Sequence, residues 1–264
     1  MYSAMAYLTV DCPGGGAAVL LWLGLGFIMS GPGLAEVLKG YRVVELSHVL
    51  EEGMPRPQVP FGHIPWKSYE RGDAFNTFMV LVFEHAGTHV DAPIHLGGVD
   101  GPGLDGIPAE AWMGECVVLG FRGKEEGEAV TVEEVRGWEA EHGEIGEGAI
   151  VLLDFGWAER WTTEHGVEDQ PYHGDNPGLS EEAAGYLADR GVKLVGGDVP
   201  TVDVGSDPVE PAHRVLLPRG VLVLENAANL GELPPRGAFF VGLPLRVRDG
   251  TGCPVRAVAF VPEG

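Results

Sequence analysis

The sequence predicts a mixed α/β fold that is rich in strands and has few helices. Three observations support this prediction: short β-rich runs are separated by glycine and proline, two segments carry helix-start signals, and most neighbouring runs have no helix between them. The 41 glycines and 20 prolines are spread along the chain, so they indicate ordered turns rather than a linker. With 264 residues, 45% of them hydrophobic, the chain can bury the core of one large domain.

The strands are predicted from short apolar runs that are bounded by turn residues. These runs are 41–46, 78–89, 115–121, 149–155, 192–196, 220–224, 239–245 and 254–261. Two helices are predicted from their caps. Thr131 and Glu134 form a capping box before the helix 132–142, and Ser180 caps the helix 181–190.

Residues 41–264 are predicted to form the domain, and residues 1–40 an N-terminal extension. The extension contains an apolar run, 17–29, that is too short for a membrane span but as long as the core of a signal peptide. No Lys or Arg precedes Lys39, so the positive charge that opens a secretory signal is missing. We therefore favour a start at Met29 and a cytoplasmic location, with secretion as the open alternative.

The overall charge restricts the partners of the chain. Its 39 acidic and 17 basic residues give a formal net charge of -22, which repels nucleic acid and anionic membrane surfaces. The three cysteines form no CxxC pair, which fits a reducing compartment. We expect a small-molecule substrate, no nucleic acid and no membrane partner.

The most informative segment is a cluster of histidines and an aspartate between residues 85 and 95. If the predicted strand continues through it, the period of two places His85, His89 and Asp91 on one face. Gly87, between the two histidines, leaves room for a cation to approach. His95 lies beyond the proline that ends the strand, at a different depth, which suits proton transfer better than coordination.

Two other interpretations of this cluster compete with a catalytic metal site. Its members are ordinary polar residues of a solvated strand, or they bind a purely structural zinc. Three histidines so close to an aspartate in a histidine-poor chain argue against the first interpretation. Structural zinc sites usually have four protein ligands and favour cysteine, and no cysteine lies nearby, which argues against the second.

A second pair, His213 and Glu225, is less informative on its own. A His and a Glu at this separation are more often structural than metal-binding. Glu225 nevertheless follows the apolar run 221–224, and a carboxylate at the end of a buried strand needs a cation or hydrogen bonds to offset its desolvation. The pair alone does not decide between the two roles.

These residues resemble the cyclase family, which includes bacterial kynurenine formamidases and isatin hydrolases. The segment from His85 to His95 matches the family pattern His-x-Gly-Thr-His-x-Asp-x-Pro-x-His at every fixed position. The resemblance extends over residues 41–261. Further similar stretches are 44–48, 53–55, 176–180, 225–230, 244–245 and 252–259.

The resemblance implies one or two divalent metal ions. By this resemblance, His85, His89 and Asp91 hold one ion. Asp91, His213 and Glu225 hold a second, with Asp91 and Glu225 bridging the two. Zinc (Zn2+) and manganese (Mn2+) both suit imidazole and carboxylate ligands, so the native metal stays open.

The resemblance also assigns a catalytic residue and a fold. It implies that His95 donates and accepts the proton during catalysis. The family fold is a mixed α/β domain with a curved central sheet and a few flanking helices. Family members assemble as dimers or tetramers, so we expect a homodimer or homotetramer.

One departure from the family concerns the substrate pocket. Kynurenine formamidases have a Trp beside a Pro-Gly after the first strand, whereas the corresponding stretch here, 54–61, contains no Trp. Phe61, Trp66 and Trp157 are the candidates to line the pocket, although core packing explains Trp157 as readily. Arg56 in the same stretch leaves a more polar substrate as an alternative.

The expected function is hydrolysis of an amide carbon–nitrogen bond by metal-activated water. The first expectation is an arylformamidase that acts on N-formylkynurenine, as the resemblance implies. The alternatives are hydrolysis or closure of a cyclic amide or lactone, as in isatin hydrolases, and a metal-binding protein without turnover. No Gly-x-Ser-x-Gly motif occurs, which disfavours a serine hydrolase.

Overall fold

The computed structural model describes residues 33–96, 100–164 and 170–263. The apolar run 17–29 and the start at Met29 lie outside these residues. Within the described ranges, no helix is both long and apolar enough to cross a lipid bilayer.

The strands of the described residues form one large sheet and two small ones. In chain order they are β1 (Tyr41–Glu45), β2 (Gly62–Lys67), β3 (Thr77–Leu81), β4 (His89–Asp91), β5 (Met113–Gly120), β6 (Ala129–Val130), β7 (Ile150–Asp154), β8 (Gly178–Leu179), β9 (Leu194–Gly197), β10 (Leu222–Glu225), β11 (Ala238–Val241), β12 (Gly252–Pro254) and β13 (Val258–Pro262). The large sheet contains nine strands in the order β1-β13-β11-β5-β7-β9-β10-β4-β12. The small sheets pair β2 with β3 and β6 with β8.

The α-helices of the described residues include both predicted ones. They are α1 (Leu34–Val37), α2 (Val132–His142), α3 (Glu181–Asp189) and α4 (Pro211–Leu216). At the start of α2, Thr131 Oγ1 accepts the Glu134 N–H at 3.3 Å, and Glu134 Oε2 accepts the Thr131 N–H at 2.8 Å. Ser180 Oγ accepts the Ala183 N–H at 3.1 Å at the start of α3. Both predicted helix caps are therefore confirmed.

The parallel strands β5, β7, β9 and β10 lie in the middle of the large sheet, which is covered on both faces. Every residue of β7 is buried, and alternate side chains enter different clusters. Val151 and Leu153 pack with residues of α2 and α3, whereas Ile150 and Leu152 pack with residues of β1, β11 and β13. The antiparallel part of the sheet thus curls over the second cluster, and the predicted mixed α/β fold with a curved sheet is confirmed.

The predicted strand 78–89 is wrong in its second half. β3 ends at Leu81 and β4 begins at His89, with a turn between them. Gly87 has a φ of +65°, a left-handed conformation that cannot continue a strand. His85 therefore projects from a turn beside the short strand that carries His89 and Asp91.

Candidate metal centre

The centre of the site is β4, which lies between β10 and β12 in the large sheet. In the antiparallel pairing of β4 with β10, His89 lies opposite Glu225 and Asp91 lies opposite Val223. Directly opposed residues share one face of a sheet, and so do residues two apart along a strand. His89, Asp91 and Glu225 therefore project to the same place, and all three are buried.

His213 reaches this place from α4, and Asp203 fixes its ring. Asp203 Oδ2 accepts the Nδ1 proton of His213 at 2.5 Å, and the same carboxylate accepts two backbone N–H groups of the first turn of α4. Nε2 of His213 is left facing the strand residues. It lies 3.3 Å from Asp91 Oδ2 and 3.2 Å from Glu225 Oε1.

His89 faces the same two carboxylates from β4. Its Nε2 lies 3.5 Å from Asp91 Oδ1 and 3.3 Å from Glu225 Oε2. Its Nδ1 lies 2.9 Å from the carbonyl oxygen of Gly87, so Nδ1 carries the proton and Nε2 offers a lone pair. This Nε2 is buried and has no hydrogen-bond partner among the described residues.

These four side chains fit a divalent metal ion. Burial opposes the charge of Asp91, yet the neighbouring imidazoles of His213 and His85 hold the pKa of Asp91 well below its usual range. Burial likewise opposes the charge of Glu225, but the adjacent imidazoles of His213 and His89 lower its pKa. Two carboxylates and two imidazole nitrogens that converge in a buried place are a suitable donor set for a divalent cation.

His85 lies beside this group and is oriented by a chain of hydrogen bonds. Its Nδ1 lies 2.7 Å from Asp91 Oδ1, and its Nε2 lies 2.9 Å from Thr251 Oγ1. The Thr251 hydroxyl donates to Glu84 Oε2 at 2.6 Å, so it accepts from Nε2 of His85. The lone pair of Nδ1 therefore faces Asp91. A Cβ on Gly252 would lie 2.5 Å from the His85 ring, so only glycine leaves room for this ring position.

His95 lies at the open side of the site, in the turn after β4. Its ring stacks on His85 with the centroids 4.1 Å apart and lies 6.4 Å from the ring of His213. Burial lowers the pKa of His95 below its ordinary value, so the imidazole is neutral at neutral pH. A neutral imidazole at the edge of the site can accept and return a proton.

The described residues contain two groups of side chains close enough together to hold an ion. The groups are His89, Asp91 and Glu225, and His85, Asp91 and His95. This grouping differs from the ligand sets that the family resemblance implies. His85 is grouped with His95 instead of His89, whereas His89 and His213 face the same two carboxylates.

Comparison with known proteins identifies the family. The family model described as "Putative cyclase" matches residues 44–204. The chain belongs to the cyclase family. Among relatives of this cyclase-family chain, the isatin hydrolase of Roseibium aggregatum is 32% identical over 204 residues, which are 73% of this chain and 77% of the relative. The kynurenine formamidase of Salinibacter ruber is 34% identical over 177 residues, which are 66% of this chain and 74% of the relative.

A solved structure confirms the cyclase-family fold. The chain is similar to isatin hydrolase A from Labrenzia aggregata bound to benzyl benzoate, with a TM-score of 0.77 and 34% sequence identity. The match covers 88% of this chain and 97% of that one. The cyclase-family assignment that the motif predicts is therefore confirmed by sequence and by structure.

The three pocket candidates lie in different surroundings. Trp157 is buried; its Nε1 donates to the carbonyl oxygen of Tyr172 at 2.9 Å, and the Arg160 guanidinium lies 3.7 Å from its ring centroid. Trp66 is 63% exposed on β2, and Phe61, just before β2, is partly exposed. Within the described ranges, no ring contact joins any of them to the histidines of the site. The structure gives Trp157 a packing role and leaves Trp66 facing solvent.

Sequence reasoning missed several residues that hold the histidines in place. Asn226 Nδ2 donates to the Gly87 carbonyl at 2.8 Å, and Glu84 accepts from Thr251. Glu84 precedes the predicted ligand His85, and Asn226 follows the predicted ligand Glu225. These positions next to ligands were the signal that the sequence offered for both residues. Thr251 offered no such signal, because only the folded chain brings it beside His85.

Proposed function

We propose that this chain is a metal-dependent hydrolase that opens the amide bond of a small aromatic cyclic amide of the isatin type. The observation that carries the hydrolase assignment is the convergence of two imidazoles on two buried carboxylates. These residues are His89, Asp91, His213 and Glu225. The substrate class is supported by the similarity to isatin hydrolase, in sequence and, over 88% of the chain, in three dimensions.

A divalent metal ion held by these ligands would supply a water nucleophile at neutral pH, because a bound metal can lower the pKa of water from about 15.7 to about 7. Both zinc and manganese suit the nitrogen and oxygen donors present. His85, whose Nδ1 lies 2.7 Å from Asp91, is a further candidate ligand.

His95 is the side chain placed to move the proton. Its imidazole is neutral and lies at the open side of the site, where a substrate has access. During hydrolysis the water oxygen bonds to the amide carbon and the carbon–nitrogen bond breaks. The nitrogen takes up the proton that His95 accepted from the water. Because the amide lies within a ring, the carboxylate and the aryl amine stay on one product molecule.

Hydrolysis of an N-formyl aryl amide is the second candidate, supported by the similarity to kynurenine formamidase. This reaction needs the same nucleophile and the same proton transfer, and it differs in releasing formate as a separate product. The shape of the substrate, rather than the chemistry of the site, separates the two candidates.

A substrate panel tests the proposal. We expect zinc- or manganese-loaded protein to hydrolyse isatin with a higher kcat/KM than N-formylkynurenine, and chelator-treated protein to be inactive until metal is restored. Faster turnover of N-formylkynurenine would favour the second candidate. Full turnover without metal would contradict the metal mechanism. Bound metal without turnover of any amide or lactone would indicate a non-catalytic protein.

A further inference from the structure

Three aromatic side chains form a cluster that takes no part in the metal chemistry. The imidazole of His48 stacks on the indole of Trp161, with the ring centroids 3.9 Å apart and an interplanar angle of 4°. Tyr172 contacts both rings edge-on, at centroid distances of 5.0 Å from Trp161 and 6.5 Å from His48. Tyr172 is fully buried, whereas His48 and Trp161 are partly exposed. The stack is therefore anchored in the core and still reaches the surface.

This cluster lies on the same face of the large sheet as the metal ligands. Val223 is opposite Asp91 in the pairing of β10 with β4, so both side chains point to one face. Val223 belongs to the same buried cluster as Tyr172, and Trp161 packs against that cluster. The segment of Trp161 leaves the carboxyl end of β7, and Glu225 ends the parallel strand β10. Ligands of α/β sheets bind at this edge, outside the carboxyl ends of the strands.

Hydrogen bonds fix the stack beside two of the ligands. The backbone N–H of His48 donates to Thr88 Oγ1 at 2.9 Å, and the Thr88 hydroxyl donates to the carbonyl oxygen of Asn226 at 2.6 Å. Thr88 directly precedes His89, and Asn226 directly follows Glu225. One threonine side chain therefore ties the His48 backbone to both segments that carry these ligands.

Apolar side chains lie on two sides of the ligands. Leu50 lies over the turn at Gly87, where an added Cβ would overlap its Cδ2. The ring centroid of Phe83 is 5.6 Å from that of His85. The His85 ring lies against the edge strand β12, whereas Trp161 lies on the side of β7, so the ligands lie between Phe83 and Trp161.

His48 has the electrostatic state that contact with a neutral aromatic ring requires. Burial lowers the pKa of His48 to about 4, so the imidazole is uncharged at neutral pH. A ring that stacks on it therefore desolvates no charge. The Nε2 of His48 is buried and has no hydrogen-bond partner in the part of the chain that the structure describes. Buried nitrogens of this kind are rare in folded proteins, and this one indicates that a ligand or a water completes the site.

The stretch 54–61 contains no Trp, yet an aromatic substrate needs apolar walls around the metal. We propose that the stack of Trp161 on His48 is the wall that binds the aryl ring of the substrate, in place of the Trp that kynurenine formamidases have after the first strand. This inference rests on the proposed function, because it takes an aromatic amide as the substrate. It makes Trp161 a specificity-determining residue, instead of the three pocket candidates from the sequence.

Substitutions separate a substrate wall from a packing residue. In metal-loaded protein, Trp161→Leu should raise the KM for an aromatic amide about 5- to 10-fold with little change in kcat, because it removes an aromatic contact made equally before and during the reaction. Trp161→Phe keeps a ring and should stay within about twofold of the wild type. Trp157→Phe is the matched control from the same segment. An unchanged KM in Trp161→Leu overturns the proposal, and so does an equal rise in Trp157→Phe.

A binding measurement tests the contact without turnover. The protein is metal-loaded His95→Ala labelled with 5-fluorotryptophan, and the Trp161 fluorine resonance is assigned by its absence from Trp161→Phe. We expect isatin or N-formylkynurenine to shift this resonance, because a ring that packs on the indole changes its magnetic environment. The resonance of Trp112, which is buried on the opposite face of the sheet, should stay in place. A Trp161 resonance that does not move while either compound saturates the protein overturns the proposal.

These results separate this inference from the proposed function. If the wild type prefers N-formylkynurenine to isatin, the substrate class is wrong, but the aryl ring of N-formylkynurenine should still shift the Trp161 resonance. If isatin is hydrolysed and the Trp161 resonance stays in place, the proposed function stands and this inference fails. If Trp161→Leu does not fold, the fluorine measurement decides, because the labelled protein keeps Trp161.

Discussion

Thr251 links His85 to Glu84 and sets the tautomer of the histidine. Its hydroxyl lies 2.9 Å from Nε2 of His85 and donates to Glu84 at 2.6 Å. Such a hydroxyl must accept one proton and donate another, which serine can do and valine cannot. The partners that orient a metal ligand typically change metal affinity by about 10- to 100-fold when they are removed.

We expect Thr251→Val to weaken metal binding about 10- to 100-fold, because the His85 ring loses its fixed orientation. Thr251→Ser keeps the hydroxyl and should bind metal nearly as tightly as the wild type. Metal affinity is measured by competition with a chromophoric chelator. Equal affinities of the serine and valine variants would show that the hydroxyl does not orient His85.

Asp203 is expected to act on His213 as Thr251 acts on His85. Asp203→Asn replaces one carboxylate oxygen with an amide NH2 group, which cannot accept the Nδ1 proton of His213. We expect this change to weaken metal binding about 10- to 100-fold. Asp207→Asn is the matched control, since Asp207 accepts a backbone N–H of the same loop from Val209. The competition assay should leave the control at the wild-type affinity. A similar loss in both variants would assign the effect to the loop rather than to His213.

His89 and His95 are expected to respond differently to replacement by alanine. His89→Ala removes a buried nitrogen that faces both carboxylates, so metal content and turnover should fall together. His95→Ala should keep its metal and lower turnover by about 10²- to 10⁴-fold, the usual effect of a positioned acid–base group. The measurement is metal stoichiometry beside kcat. Loss of metal from His95→Ala would make His95 a ligand, together with His85 and Asp91.

Asp198 gives a prediction about stability and pH. Its carboxylate accepts the Phe155 N–H at 2.9 Å and the Ala158 N–H at 3.3 Å, but burial raises the pKa of Asp198 to about 6. The unfolded chain has an Asp pKa of about 3.9, so the folded state binds this proton more tightly and loses stability as the pH rises from about 4 to about 6.

We therefore expect Asp198→Asn to gain stability relative to the wild type as the pH rises through this window, by no more than about 3 kcal/mol. The free energies of unfolding in denaturant, measured near pH 4 and near pH 8, check this expectation, with Asp207→Asn as the partly exposed control. A difference between Asp198→Asn and the wild type that is the same at both pH values would contradict it.

The parts of the fold that depend on local signals could be predicted from the sequence. The capping box of Thr131 and Glu134 places the start of α2 correctly, because both partners lie within one helical turn. The placement of His89 and Asp91 on the same face follows from the two-residue period of a strand, which is also a local signal. The turn at Gly87 was not predicted, since a glycine in an apolar run is compatible with either a strand or a left-handed turn.

Other parts depend on contacts between distant segments. β2 was not predicted because it contains Pro65, lacks alternation of apolar and polar residues, and is irregular where it pairs with β3. Nothing in the sequence placed Thr251 beside His85 or Asp203 beside His213. These contacts arise from the pairing of β12 with β4 and from the loop before α4, so they become visible only in the folded chain.

The position of β4 between β10 and β12 determines when the metal site can form during synthesis. β4 and the His85 turn leave the ribosome early, whereas both neighbouring strands are made much later, and Thr251 follows His85 by 166 positions. A short strand cannot form inter-strand hydrogen bonds before its neighbouring strands have been translated. Strand pairs that are this distant in sequence also form slowly. The candidate ligands from β4, α4 and β10 can therefore come together only after Glu225 has been translated, so we expect the site to form late in synthesis.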